Sequence, residues 1–166
     1  AVSADGTQVV TVGRIRDSAR ATVAVWDMAA QGGQSTGACV VVKAHTWPCI
    51  PFSTSDDSKR AYTSCAVSAD GSLVVGGADD GTLWLWTRSA SITGAEPVSW
   101  LHGHSATITS CAMSADGFSL VSGSADMTLR VWDLDVARQR DTLVLRGHSQ
   151  GVTCCSISAD GSTVVS

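Results

Sequence analysis

The sequence predicts an all-β fold assembled from a tandem repeat of short antiparallel sheets. Three observations carry that reading. The tetrapeptide Ser-Ala-Asp-Gly occurs four times, at Ser3–Gly6, Ser68–Gly71, Ser114–Gly117 and Ser158–Gly161. The last three copies begin 46 and 44 residues apart, and the first lies 65 upstream of the second; a period in the forties marks a repeat array. Each Asp-Gly stands between apolar runs, a hairpin signal, because glycine adopts the positive φ that tight turns need. Runs such as Thr82-Leu83-Trp84-Leu85-Trp86 have strand periodicity, and no long stretch has a 3.6-residue period.

The elements follow in order from that alignment. Cys65–Trp86 and Cys111–Trp132 match in length without a gap. Each opens on an apolar stretch, passes through the Asp-Gly turn, and continues into a second apolar stretch. A second Asp-containing turn, at Asp79-Asp80 or Asp126, leads to an alternating third run that ends in Trp. After each Trp come polar or small residues and then a fourth β-rich run, at Ala38–Val42, Val98–Leu101 and Thr142–Leu145. Each unit therefore holds four short antiparallel strands.

These motifs resemble those of the WD40-repeat β-propellers. The family's Gly-His dipeptide stands at Gly103-His104 and Gly147-His148, and in altered form at Ala44-His45. Its Trp-Asp dipeptide stands at Trp26-Asp27 and Trp132-Asp133, with Trp86-Thr87 as a variant, and Ser122–Asp126 matches the stretch before the third strand. The resemblance covers essentially the whole chain. It implies four-stranded blades arranged radially around a channel. The expected divisions are blade one at 1–43, blade two at 44–102, blade three at 103–146, and the start of blade four at 147–166. Propellers have about four to eight blades, so about 3.5 blades imply an incomplete ring, with the rest of the propeller needed to close it and apolar faces exposed at both ends.

The resemblance also implies a hydrogen-bond network within each blade. In blade three it maps to His104, Ser122, Asp126 and Trp132. Blade two keeps His45, Asp80 and Trp86 but has Gly76 at the hydroxyl position. Blade one has Thr11 and Trp26, with Asp17 as the displaced carboxylate, and blade four has His148 and Ser166. A His–Asp pair with polar satellites has the look of a catalytic group. Buried polar groups need partners in any case, and a satisfied network rigidifies a blade, so these residues are expected to be structural.

Composition narrows the function classes. The formal net charge is −4, which argues against nucleic acid, where a basic footprint supplies most of the affinity. No apolar run is long enough to span a membrane as a helix. Six cysteines occur without zinc spacing. Cys65, Cys111 and Cys155 share one repeat position on the innermost strand and are expected to pack there as small hydrophobes. Reduced thiols in that number fit an intracellular, cytoplasmic location. No nucleophile elbow, phosphate loop or paired-carboxylate site is visible, so no catalytic residue, metal or cofactor is expected and the chain reads as a non-enzyme.

Two insertions depart from the repeat. Blade two carries extra residues within Thr46–Arg60, and blade one carries an insertion within Gly13–Ala21. In the family resembled, both loop types emerge on the face used for partners. One patch would then combine Trp47, Ile50 and Phe52 with Arg14, Arg16 and Arg20, residue types that dominate protein interfaces. The competing reading is a loop folded back over the blade edge, or neutral variation. The same mapping puts Ala61, Thr63, Thr107, Thr109, Gly151 and Thr153 on the rim of the channel, with Asp79 and Ala125. The function expected is a non-catalytic scaffold that binds proteins or peptides through this face. The alternative is a regulatory or substrate-recognition propeller attached to a catalytic domain, such as a kinase, an NTPase or a ubiquitin-ligase component.

Overall fold

A computed structural model describes residues 1–14, 21–29, 40–48, 61–87, 99–135 and 142–166. Every regular element among them is a strand. β1 (Gln8–Arg14), β2 (Ala21–Ala29) and β3 (Val40–Pro48) form one sheet in the order β1-β2-β3. β4 (Tyr62–Val67), β5 (Leu73–Ala78), β6 (Leu83–Thr87) and β7 (Ser99–Leu101) form the second, in chain order. β8 (Ile108–Met113), β9 (Ser119–Ser124), β10 (Thr128–Asp133) and β11 (Leu143–Arg146) form the third, also in chain order. β12 (Ser156–Ile157) and β13 (Val164–Val165) pair as a short hairpin. All pairings are antiparallel. Among the described residues no sheet closes on itself, and the chain is a partial propeller.

The repeated tetrapeptide folds the same way four times. The Ser hydroxyl donates to the Asp carboxylate at 2.5–2.6 Å in every copy. The carboxylate accepts the backbone N–H two residues on, and the Ser Oγ accepts the N–H five residues on. The glycines hold φ between 69° and 74°, the left-handed region where a side chain is disfavoured. The Asp and Gly thus close a hairpin, and the hydrogen bonds hold the Asp5, Asp70 and Asp160 carboxyls low, Asp160 at about 2.

Packing runs between sheets. Adjacent strand residues point to opposite faces, and a central blade has a neighbour on each face. Val74, Trp84 and Trp86 therefore pack with Val10, Val23, Val25 and Tyr62 toward blade one. Val75, Leu83 and Leu85 pack with Ile108, Leu120 and Trp132 toward blade three. Val121 and Leu129 pack with Val152 and Cys155 toward blade four. Each such apolar side chain contributes about 1.5–3 kcal/mol. The innermost strands fit because glycine faces them. A Cβ on Gly77 would lie 2.6 Å from Ile108, and one on Gly123 would lie 2.6 Å from Val152.

Blade one departs from its neighbours in two ways. Its central hairpin pairs on through Gly13↔Thr22 to Arg14↔Ala21, beyond the point where Gly77↔Leu83 ends the ladder in blade two. Its outer strand is also longer than the expected Ala38–Val42. β3 runs to Pro48 and carries Ala44, His45, Thr46 and Trp47 opposite Trp26, Val25, Ala24 and Val23. It crosses residues 43 and 44, where the sequence reading divides the blades. The valine, threonine and tryptophan of Val40–Pro48 favour a pleated strand over a loop.

Candidate functional site

Blade three contains the most polar cluster. β9 brings Ser122, β10 brings Trp132, the turn between them brings Asp126, and the segment after β7 brings His104. The Trp132 indole donates to Ser122 Oγ at 2.8 Å, and Ser122 Oγ lies 2.8 Å from His104 Nε2. His104 Nδ1 lies 2.9 Å from Asp126 Oδ2. A carboxylate only accepts, so Nδ1 carries the proton; Nε2 of the neutral ring then accepts from the Ser122 hydroxyl. The donors run one way, from indole to hydroxyl to imidazole to carboxylate. Asp126 also accepts from Thr128 Oγ1 at 2.6 Å and from the Ser105 backbone at 3.0 Å.

Burial pushes the His104 pKa down, against the opposing effect of Asp126. Burial raises the Asp126 carboxyl, but hydrogen bonds from Thr128, His104 and Ser105 outweigh it and hold the group well below the usual carboxylate range. Both shifts favour the pair drawn above, a neutral imidazole donating to a carboxylate.

The Ser122–His104–Asp126 connectivity is that of a hydrolytic triad. Ser122, however, has 0% exposure and already accepts the Trp132 indole proton. No substrate carbonyl can reach its Oγ, so the arrangement ties β9 and β10 to the incoming segment.

The other blades carry parts of this cluster. In blade one the Trp26 indole donates to Thr11 Oγ1 at 2.9 Å. In blade four His148 Nε2 lies 2.7 Å from Ser166 Oγ. In blade two Gly76 leaves the hydroxyl position empty, and the space is filled. A Cβ there would come within 3.1 Å of both Trp86 and Tyr62, whose rings meet edge to face at 5.6 Å. Asp80 accepts the Thr82 N–H at 2.9 Å, and Thr82 Oγ1 lies 3.3 Å from His102 Nδ1. His45 does not take the place of His104. It stands inside β3 opposite Val25, whereas His104 lies outside any strand, because the longer pairing of β3 with β2 absorbs the segment.

The matched family model is the WD domain, G-beta repeat, which covers residues 44–87, 95–133 and 139–166, together more than half of the chain. The chain belongs to the WD40-repeat family. No curated protein matches it. The WD40 matches span blades two to four, and they include the blade with the full network.

The residues expected on the partner face fall into two groups. Arg16, Arg20, Ile50 and Phe52 lie outside the described residues, as does Asp17. Arg14 ends β1, and Trp47 stands in β3 opposite Val23, so Trp47 belongs to a strand and not to the loop expected for it. The rim threonines are engaged in the frame. Thr63 Oγ1 shares its one proton between the carbonyls of Gly77 (3.0 Å) and Ile108. Thr109 repeats the arrangement with Gly123 (3.0 Å) and Val152 (2.5 Å). Thr107 donates to the Asp79 carbonyl at 3.0 Å. A hydroxyl has one proton, so these three hold neighbouring blades together and keep only lone pairs for a ligand. Thr153 is exposed, and Asp79 is half-buried.

The thiols serve the same joints. Cys65 Sγ lies 3.4 Å from the Val10 carbonyl, and Cys111 Sγ lies 3.2 Å from Ser64 Oγ. Burial pushes the Cys111 thiol up to about 12 and raises Cys155 as well, which suppresses the reactive thiolate. Cys39 and Cys49 lie outside the described residues. Among those described, no group of His, Cys, Asp or Glu could hold a metal ion, and no helix is long and apolar enough to cross a membrane.

The sequence reading missed the inter-blade role of Thr63 and Thr109. The signal was present: Thr63-Ser-Cys65, Thr109-Ser-Cys111 and Thr153-Cys-Cys155 recur at one repeat position.

Proposed function

We propose that the chain is a non-catalytic scaffold, part of a larger WD-repeat propeller, that presents its loop-bearing face to other proteins or peptides. One observation carries the reading. The most enzyme-like group, Ser122–His104–Asp126, is consumed in joining strands, with Ser122 at 0% exposure. The recognition surface is then assigned to the segments that vary between blades, those bearing Arg14, Arg16, Arg20, Trp47, Ile50 and Phe52, together with Asp79 and Thr153 of the rim. Their residue types support it, since aromatic and Arg side chains dominate interface energetics. The partners are proteins or peptides, not nucleic acid or membrane, in keeping with the net charge of −4. The location is intracellular; free thiols at Cys65, Cys111, Cys154 and Cys155 support a reducing compartment.

The test is alanine substitution of Arg16, Trp47 and Phe52 with quantitative partner recovery from cell extract. Loss of a specific partner, with the far-UV spectrum unchanged, is the expected outcome. Unchanged recovery overturns the assignment of this face.

A further inference from the structure

Five Asp-Gly pairs stand in the chain, at Asp5-Gly6, Asp70-Gly71, Asp80-Gly81, Asp116-Gly117 and Asp160-Gly161. Asp-Gly is prone to spontaneous isomerisation, because glycine has no side chain to hinder its nitrogen. That nitrogen attacks the Asp Cγ, the new C–N bond closes a succinimide, and a carboxyl oxygen leaves as water. Water then reopens the ring at either carbonyl. One opening restores aspartate, and the other leaves an isoaspartyl bond with an extra methylene in the main chain. The sequence of steps needs no oxidant, reductant or co-reactant other than water.

Four of the five pairs lie in the Ser-Ala-Asp-Gly turn. Replacing the glycine would not be a free escape from the reaction, since its φ of 69–74° is left-handed. The turn instead opposes both halves of the attack. In blade two Asp70 Oδ1 accepts the Ser68 hydroxyl at 2.6 Å, the Ser72 N–H at 3.0 Å and the Ser72 hydroxyl at 2.8 Å. The bond from Ser68 does most to hold this carboxyl below its ordinary value, and those from Ser72 add to it. A carboxylate is a poor electrophile and has no hydroxyl to lose. The nucleophile is engaged as well: the Gly71 N–H donates to the Ser68 carbonyl at 2.9 Å. Ser68 thus ties down the carboxyl with its side chain and the nitrogen with its backbone. The other three copies repeat both bonds, with the glycine N–H 2.9–3.1 Å from the serine carbonyl.

The turns also touch across blades. The Ala69 carbonyl accepts the Ala4 N–H at 3.1 Å, and the Ala159 carbonyl accepts the Ala115 N–H at 3.0 Å. An extra methylene at the next residue would shift that carbonyl against its neighbour, so isomerisation loosens a joint as well as a hairpin.

We propose that the serine of each Ser-Ala-Asp-Gly turn guards it against isoaspartate formation, and that Asp70-Gly71 is a modification site uncovered when the Ser68 hydroxyl bond is lost. Neither the guard nor its test involves the loop face assigned to partners. The experiment is ageing of the protein at neutral pH, with isoaspartate located bond by bond through electron-transfer fragmentation of its peptides. In the folded parent Asp70 and Asp116 should remain aspartyl, whereas both should isomerise when the protein is held unfolded in urea. Ser68→Ala removes a hydrogen bond to a charged group, so isomerisation at Asp70-Gly71 should accelerate on the order of tenfold or more. Asp116-Gly117, with its own serine, should keep its parental rate. Ser68→Thr retains a hydroxyl and should restore the parental rate at Asp70. Ser72 is exposed, and Ser72→Ala should give a smaller acceleration at the same bond, which keeps the test open if Ser68→Ala does not fold. The pH profile separates the hydroxyl's effect on charge from a merely slack turn. Without Ser68 the carboxyl moves back up toward its ordinary value, so isomerisation at Asp70 should persist to higher pH than in the parent. Parental isomerisation as fast folded as unfolded, an unchanged rate at Asp70 in both serine-to-alanine variants, equal acceleration at Asp70 and Asp116, or an unshifted pH profile overturns the proposal.

Discussion

Blades two and three share strand order, the Ser-Ala-Asp-Gly turn and the register of their central strands, yet different chemistry holds each together. In blade three a chain of hydrogen bonds runs from Trp132 through Ser122 and His104 to Asp126. In blade two Gly76 replaces the serine, and the Tyr62 and Trp86 rings meet edge to face against it. Trp84, at the position of Arg130, adds a tilted contact with Trp100 at 5.9 Å, while Arg130 stacks over Trp132 at 5.8 Å. One backbone frame thus tolerates a polar lock or an aromatic one. The two locks differ in how they fail: a polar lock loses stability when a partner is removed, and an aromatic lock loses it when volume is added.

The sharpest test of that difference is Ser122→Ala. It strips the acceptor from a buried indole and the donor from a buried imidazole, so about 3 kcal/mol should be lost in urea denaturation. The converse substitution, Gly76→Ser, supplies the hydroxyl that blade two lacks. It should cost about 2 kcal/mol, because the new Cβ meets Trp86 and Tyr62 at 3.1 Å in a packed core. Stabilisation by Gly76→Ser would show that the aromatic lock is loose and would break the comparison.

The turns between second and third strands differ too. Gly81 holds φ +83°, and a Cβ there would lie 2.6 Å from the His104 carbonyl oxygen. Met127 occupies the same repeat position with φ 68°. Met127→Gly should therefore raise stability by about 1 kcal/mol, read as a higher Tm, by relieving a left-handed conformation. An unchanged or lower Tm would show that the methionine side chain returns what its backbone costs.

The smallest effect is the pH dependence of the polar lock. The folded-state pKa of His104 lies below its unfolded value near 6.5. Its contribution is therefore complete above that pH and lost as pH falls through the lowered folded value. Amide exchange of β9 and β10 should accelerate over that window relative to β5 and β6. Equal acceleration in both blades would place the titrating group elsewhere.

The legible parts of the fold were those settled over a few residues. The Ser-Ala-Asp-Gly turn depends on bonds that span two to five positions, and it formed wherever it was written. The contents of the blade-three lock, His104, Ser122, Asp126 and Trp132, were legible only through the family resemblance that the motifs carry. The role of Thr63 was hidden, because its acceptor, the Ile108 carbonyl, lies 45 residues away on the next blade. The position of His45 was hidden for a related reason: β3 pairs with β2 from Val40 to Pro48 and so carries His45 inside the strand, opposite Val25.

By itself the sequence determined the repeat, the hairpin turns and the strand order within blades. All of these rest on local backbone preference and on spacing along one chain. Tertiary structure decided which face each apolar residue serves, that the rim threonines join blades, and that Tyr62 fills the place of a missing hydroxyl. Those outcomes depend on how close one sheet comes to the next, a distance set by side-chain volumes on both sheets at once.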